Sequence, residues 1–345
     1  MSETAGGKHR QRSYVSALQV AERAGVSRSA VSRTFTEGAS VSAATRKRVI
    51  EAAEALGYHV NHLARGLIQD RSNIVSLVAT DLNTPYQAGL IHALTSRLQR
   101  AGKVAMVINT SGQTQSVEKA LRQTLEYRAD ATVVLSGQPP GSLIQTCLTN
   151  GQHVIMLNRD DAVPGPDRLM VTNRAAAREA FLHLQAAGCR QIALVASEVG
   201  TASVVAREEA FVAAAAEAGT TVQVAHFGPT TYASGRALGR QMLARPQRPD
   251  GVFCVTDLLA CGFMDAARSE FGLSIPDDLC VIGFDDIEQA GWSSFDLTTF
   301  RQPIDQIAAR IISLLDEPPP PGTQREPIAF PAELIWRRSV RGTRR

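Results

Sequence analysis

Cysteine is scarce in this chain. The five residues, Cys147, Cys189, Cys254, Cys261 and Cys280, are odd in number, scattered and without Cys-x-x-Cys spacing. That pattern argues against a disulfide framework and a thiolate zinc site and fits a reducing cytosol; all five read as small buried core residues. No run of 18 uncharged apolar residues exists, so no membrane span is expected. The stretch from Met1 to Arg12 is polar and basic without an apolar centre, which reads as a flexible arm and not as a secretory signal. Only seven histidines are present, none paired at ligand spacing, and neither metal nor cofactor is expected. The G-x-S-x-G elbow, the G-x-x-x-x-G-K-[ST] loop, H-E-x-x-H and a G-x-G-x-x-G after a strand are all missing, which argues against an enzyme. No fixed-period repeat is visible.

What is there is charge of one sign in one place. Residues 1–71 carry eleven Lys and Arg against six Asp and Glu, a net of +5, which leaves −2 for the remainder. A basic excess confined to a small segment is an electrostatic footprint for a polyanion. The same segment reads as three short helices. Ser16 caps the first, with Gln19 placed for a capping box and Leu18, Val20, Ala21 and Ala24 facing inward until Gly25 ends it. Ser27 caps a second over Arg28–Phe35, with Val31 and Phe35 on one face. Ser42 caps a third, Ala43–Leu56, stopped by Gly57.

From Ile74 onward short apolar runs alternate with amphipathic stretches. Strand-like runs are 74–79, 104–108, 131–135, 153–157, 191–196, 222–226, 251–255 and 279–283, with helix-like stretches between them at 86–101, 116–127, 174–187, 204–218, 234–243 and 258–271. Alternation of this kind predicts parallel sheets built from βαβ units, and eight strands suffice for two such sheets. Pro318 to Gly322 reads as a stiff surface loop.

Several motifs are specific. Val15 to Ser27, Val31-Ser-Arg33, Val41-Ser-x-x-Thr45-Arg and Ala52 to Tyr58 resemble the DNA-binding domain of the lactose-repressor family, and Asn61 to Leu67 resembles its hinge helix. Asp81 to Tyr86, Ala206 to Phe211, Thr256 to Ala260, Val281 to Asp286 and Asp296 to Pro303 are similar to its regulatory domain. The resemblance spans about residues 15–340. It implies an α/β protein with an all-α helix-turn-helix headpiece and a periplasmic-binding-protein-like regulatory domain of two doubly wound parallel-sheet subdomains. The implied boundaries are an arm at 1–14, the helix-turn-helix at 15–60, hinge and linker at 61–72, and an effector and dimerisation domain at 73–340 with a tail at 341–345. The N-subdomain would comprise 73–172 plus 302–328 and the C-subdomain 173–300 plus 329–340, with crossings near Thr172, Thr299–Gln302 and Ala329–Ala332.

A helix-turn-helix lays its second helix in the major groove, where base edges carry a unique donor–acceptor code. Arg28 and Ser29 sit where the family reads bases, with Ser32 and Arg33 one turn on; Ser16 and Ser27 are further DNA-contact candidates. Arg28 can chelate guanine, the alternative being a contact to phosphate alone. Ala30 stands where the family often has Thr, and Phe35-Thr36 where it often has Leu-Asn. In the hinge, Asn61 would cap a short helix, Arg65 would lie along the minor groove, and Leu67 matches the family's wedge between base steps. The alternative for Leu67 is packing inside its own domain.

Ligands of open α/β sheets bind beyond the carboxyl ends of strands, and the effector candidates fall there: Tyr86, Asn109, Ser136, Arg159, Arg207, Asp257 and Asp285. Alternatives stand beside several of them. Tyr86 can be core, Arg159 can pair with Asp160 in solvent, and Asp257 can cap the helix beginning at Leu258. Asp286, next to Asp285, can be a turn residue. Gln87 stands where many sugar-binding members have a second aromatic, and the expected effector is a sugar, polyol or sugar acid. Trp292 reads as core or interface packing. The whole implies a cytoplasmic repressor, nucleoid-associated when DNA-bound. It would act as a homodimer on double-stranded operator DNA, without leucine heptads for a tetramerising helix. The competing reading is a solute-binding module without regulatory output, against which the basic segment argues.

Overall fold

The structure is a computed structural model that describes residues 14–36, 38–60, 71–110, 114–159, 164–318, 320 and 325–342. The chain divides into two units, residues 1–72 and 73–345.

The first unit holds three helices, α1 (Ala17–Ala24), α2 (Arg28–Thr34) and α3 (Ala43–Leu56). Local chemistry sets their ends. Ser16 and Gln19 form a reciprocal capping box at the start of α1, and Ser27 and Ser42 cap α2 and α3 by accepting the N–H three residues on. Gly25 turns the chain from α1 to α2 at φ 63°, a left-handed conformation that costs other residues steric strain. Val20, Ala21, Ala24, Val31, Val49, Ala52 and Ala53 make the core, flanked by Phe35 and Tyr58 with ring centroids 5.8 Å apart. Leu18, expected to face inward, is 54% exposed: it lies one position off the stripe formed by Ala17, Val20, Ala21 and Ala24.

In the second unit the described residues form two six-stranded sheets. The first has strand order β11-β5-β4-β3-β1-β2, from β1 (Ile74–Thr80), β2 (Val104–Thr110), β3 (Ala131–Val134), β4 (His153–Leu157), β5 (Asp167–Val171) and β11 (Ile328–Phe330). The second has order β12-β10-β9-β8-β6-β7, from β6 (Ile192–Ala196), β7 (Gln223–His226), β8 (Gly251–Cys254), β9 (Cys280–Asp285), β10 (Thr298–Arg301) and β12 (Glu333–Ile335). Every pairing is parallel except β10 with β12. Four strands, β5, β10, β11 and β12, add to the eight that the alternation marks. They are short or polar, and β5 opens on Asp167, a carboxylate buried against His153 at 2.7 Å and Arg325 at 3.5 Å.

Helices cover both faces of the first sheet. Leu90, Leu94 and Leu98 of α4 (Pro85–Arg100) and Ile307, Ile311 and Leu314 of α11 (Ile304–Asp316) pack on Val75, Leu77 and Val133. On the other face α5 (Thr114–Glu126) and α6 (Gly141–Thr149) pack on Val78, Val134 and Val154. Strand residues two apart share a face, so one strand serves both cores. In the second sheet, α7 (Asn173–Ala186), α8 (Ala202–Glu217), α9 (Tyr232–Leu243) and α10 (Asp257–Phe271) share a single core with stacked Phe211 and Phe253 at its centre.

The chain passes between the sheets three times. It crosses at Thr172 between β5 and α7, at Gln302–Pro303 between β10 and α11, and at Pro331–Ala332 between β11 and β12. Thus Thr299–Arg301 is a strand of the second sheet before its crossing, and Ala329 and Phe330 belong to the first. Thr172 ties the first crossing to the third: its N–H donates to Phe330 O at 2.9 Å and its hydroxyl accepts the Ala332 N–H at 3.1 Å.

Candidate functional site

In the first unit, the caps that start the helices also shape an exposed surface. Val31 and Thr34 turn the inner side of α2 to the core, which leaves Arg28, Ser29, Ser32 and Arg33 exposed together. Ser27 Oγ accepts the Ala30 N–H at 3.2 Å and shares a hydrogen bond with Ser29 Oγ at 2.8 Å. Arg33 Nε donates to Ser29 O at 3.4 Å, which lays its guanidinium along the helix. Ser16 is engaged in its capping box, accepting the Gln19 N–H at 3.3 Å while its hydroxyl donates to Gln19 Oε1 at 3.1 Å. Arg46 Nη1 donates to Thr34 O at 2.8 Å, satisfying an open carbonyl at the end of α2. Asn61, Arg65 and Leu67 lie outside the described residues, as does Asp160.

In the second unit a cleft of about 520 Å³ opens between the carboxyl ends of the two sheets. In each sheet the strand order reverses beside the first strand, between β1 and β3 and between β6 and β8. Such switch points leave a crevice that neighbouring loops do not fill. Five sequence candidates, Tyr86, Ser136, Arg159, Arg207 and Asp285, line it, together with Gln87, Asn158, Thr201, Thr256 and Gln302.

Two candidates do not line it. Asn109 is exposed on β2, the edge strand of the first sheet. Asp257 is wholly buried, accepting the Ile287 N–H at 3.0 Å and the Thr299 hydroxyl at 2.6 Å. Neither the cleft nor the helix cap engages it; it pins β10 and the turn at Ile287 from below. Asp286 is held by Arg301 and Arg337, each at 2.7 Å, which leaves Asp285 as the carboxylate of the cleft. Trp292 is 48% exposed and so is not core.

The back of the cleft is a connected polar network. Arg207, buried in α8, donates from Nε to Asn173 Oδ1 at 2.8 Å and from Nη1 to Val255 O at 2.7 Å. Its guanidinium lies 3.5 Å from the centre of the Phe284 ring and 3.8 Å from Asp285 Oδ1. Asn173 continues the chain to Asn158 Oδ1 at 3.3 Å. Gln302 Nε2 donates to Asp285 Oδ1 at 2.6 Å, and Asp285 itself sits at φ 125°, a strained conformation for a non-glycine residue. Asn173 and Gln302 were not among the sequence candidates. Their signal is position: each stands at a crossing between the sheets. Arg159 Nη1 donates to Gly137 O at 2.8 Å, and Ser136 Oγ accepts from the Thr80 N–H at 2.7 Å.

Burial dominates the electrostatics here. It pushes the Asp285 carboxyl up to about 6, against the pull of Arg207 and the hydrogen bond from Gln302. It pushes Asp257 up to about 7, helped by the charge of Asp285. Burial also drives the Tyr86 hydroxyl upward, so Tyr86 stays a phenol. Four buried polar atoms of lining residues have no hydrogen-bond partner: Tyr86 Oη, Gln87 Oε1, Thr256 Oγ1 and Gln302 Oε1. Unsatisfied buried polar atoms are expensive; the four around this cavity suit ligand hydroxyl groups, which donate to the two Gln carbonyls and accept from Tyr86 and Thr256.

Residues 18–61 match the family model described as bacterial regulatory proteins, lacI family, and residues 181–340 match that of a periplasmic binding protein-like domain. The chain carries a lacI-family helix-turn-helix domain and a periplasmic-binding-protein-like domain. This lacI-family chain is a transcriptional repressor with a helix-turn-helix DNA-binding domain and an effector-binding domain, in a family of regulators and not of enzymes. Among its relatives is the HTH-type transcriptional repressor PurR of Mannheimia succiniciproducens, 27% identical over 93% of this chain and 97% of that one. The Lac repressor dimer bound to operator and the anti-inducer ONPF shares its fold, with a TM-score of 0.82 and 24% identity over 95% of this chain and 99% of that one. The transcriptional regulator CelR in complex with cellobiose is 26% identical, with a TM-score of 0.65 over 94% of this chain and 99% of that one. No helix among the described residues is long and apolar enough to cross a membrane.

Proposed function

We propose that this lacI-family regulator binds a pseudo-palindromic operator as a homodimer and that a sugar, polyol or sugar acid in the interlobe cleft sets its operator affinity. The observation that carries the effector reading is the convergence of four unpartnered polar atoms with the Arg207–Asp285 pair in one cavity of about 520 Å³. Hydroxyl groups satisfy both donors and acceptors there, and a carboxylate of the ligand suits Arg207 and Arg159. The likeness to CelR, whose complex holds cellobiose, supports a carbohydrate-like occupant. Gln87 in place of an aromatic favours hydrogen bonding over stacking at that wall.

On the DNA side, Arg28 and Ser29 read base edges, Ser32 and Arg33 reach the backbone, and Ser16 and Ser27 present their helix N-termini to phosphate. Asn61, Arg65 and Leu67 form the minor-groove element, with Leu67 as the wedge. Ligand closes the two lobes, and the closed and open states differ in how they hold the paired hinge segments; that difference is the coupling free energy. Fluorescence anisotropy with promoter DNA, combined with a thermal-shift screen of sugars, polyols, sugar acids and nucleobases, tests this. The expected result is one ligand that raises the melting temperature and changes operator affinity by roughly 5–150-fold. Equal, weak affinity for every DNA, with or without any ligand, would overturn the reading.

A further inference from the structure

Two of the five buried cysteines meet at the end of the second sheet that is remote from the cleft. Cys189 lies in the turn between α7 and β6, and Cys280 opens β9, with β8 running between those strands. The register sets Gly251, the first residue of β8, level with Ile192 on one side and Cys280 on the other. Neighbouring strands lie about 4.8 Å apart and level side chains share a face, so a thiol from the β6 side must cross β8 to reach Cys280. Gly251 permits the crossing. A Cβ at 251 would stand 2.7 Å from both Cβ and Sγ of Cys189, so the Cys189 side chain occupies the place any larger residue would fill. The Cys189 and Cys280 thiols lie close enough to shift each other's ionisation in opposite directions.

Arg341 closes over the pair. Its backbone N–H donates to Cys280 Sγ at 3.3 Å and its Nη2 to Cys189 Sγ at 3.2 Å. The remaining guanidinium N–H groups donate to Ala187 O at 3.3 Å, Pro276 O at 3.1 Å and Asp277 O at 3.0 Å, which fixes the cation in place. The Cys189 thiol also donates to Asp250 O at 3.4 Å. A fixed cation and N–H donors aimed at sulfur favour a thiolate. Cys280 is drawn down to about 7, chiefly by the neighbouring Cys189 thiol, and the same pairing pushes Cys189 upward. Burial drives the other three thiols, Cys147, Cys254 and Cys261, upward. An open surface groove lined by Ala187, Val340, Arg341 and Gly342 reaches the Arg341 cover, and Cys189 is 7% exposed beneath it.

We propose that Cys189 and Cys280 form an oxidisable dithiol, a site at which hydroperoxides convert the pair to a disulfide that thiol reductants reverse. The Cys280 thiolate attacks one peroxide oxygen; the S–O bond forms, the O–O bond breaks, and the leaving alkoxide or hydroxide takes up a proton. The Cys189 sulfur then attacks the sulfenic sulfur. The S–S bond forms, the S–O bond breaks, and hydroxide departs as water with the proton of Cys189. Two thiols give up two electrons and two protons, and the hydroperoxide becomes an alcohol, or water, plus water. The bridge staples the bases of β6 and β9 across β8 and removes the anionic sulfur that Arg341 faces.

The test treats the full-length protein with hydrogen peroxide, quenches in acid, alkylates under denaturing conditions and maps peptides by mass spectrometry. The expected product is a peptide pair joined through Cys189 and Cys280, reversible by dithiothreitol, with Cys147, Cys254 and Cys261 still alkylated. Cys189→Ser removes the partner thiol, so Cys280 is expected to proceed to sulfinic acid. Arg341→Gln is expected to slow disulfide formation several-fold at pH 7 and little at pH 9, where the thiolate forms unaided. Five alkylatable thiols after peroxide, a cross-link between any other pair, or wild-type kinetics in folded Arg341→Gln at pH 7 would each overturn the proposal. The wild-type cross-link requires no variant to fold.

Discussion

Arg207 and Asp285 face each other at 3.8 Å in the back wall of the cleft, and each is held by a residue at a crossing between the lobes. Asn173, just past the first crossing, accepts from Arg207 at 2.8 Å; Gln302, in the second, donates to Asp285 at 2.6 Å. A ligand that engages this pair would therefore touch residues held by two of the three segments that cross between the lobes. Coupling of that kind requires contacts that differ between the two states, and this pair supplies a place for them.

Replacing Arg207 with Ala removes a buried cation and leaves Asp285 buried without its partner. Breaking a buried ion pair from one side costs about 3–5 kcal/mol, and here protonation of Asp285, already pushed up to about 6, limits the loss. The variant is expected to remain folded, to lose the effector-induced thermal shift, and to be closer to wild type in stability at pH 5 than at pH 8. Thermal melts at both pH values with and without effector decide it. A retained shift would remove Arg207 from the site.

The raised carboxyls make a second prediction with a definite sign. Asp257 sits at about 7 and Asp285 at about 6, against an ordinary 3.8, with burial as the main cause for both. The folded state thus holds protons more tightly than the unfolded chain between about pH 4 and pH 7. This contribution is complete below the unfolded value and is lost as pH rises through the folded ones. Asp257→Asn, neutral at every pH, is expected to flatten part of that fall. Urea midpoints of wild type and variant at pH 5 and pH 7.5 measure the difference; parallel pH dependences would contradict it.

In the head, Arg28→Ala is expected to weaken operator binding by about 1–3 kcal/mol and relax the preference at one base position. It should also lower the salt dependence less than the loss of a phosphate-contacting Arg33 would. Ser27→Ala removes the cap of α2 and is expected to destabilise the head by about 1 kcal/mol. Anisotropy titrations over a salt series, with circular dichroism for the head, separate reading from folding. Uniform weakening across all sequences in Arg28→Ala would reassign Arg28 to phosphate.

Leu67→Ala tests the wedge. Operator affinity is expected to fall while the effector's thermal shift stays unchanged, because unstacking base steps needs the apolar side chain. Gel-shift affinity equal to wild type would refute the assignment.

The sequence alone determined the helical head, because helix ends are local chemistry: Ser16, Ser27 and Ser42 with their N–H partners three residues on, and Gly25 and Gly57 as stops. It also determined the two-sheet α/β body, through buried runs whose period does not depend on what they pack against. Arg207 and Asp285 stood out in it by motif. Only the tertiary structure separated Asp285, in the cleft, from Asp257, beneath it. Both acids lie at the carboxyl end of a strand, and what distinguishes them is Thr299, 42 residues further on, donating to Asp257. It likewise recruited Asn173 and Gln302, placed Asn109 on an outer edge, and turned the polar segment at Asp167 into a strand. In each case burial and hydrogen-bond partners come from segments distant in the chain, and no local pattern encodes which distant group will arrive.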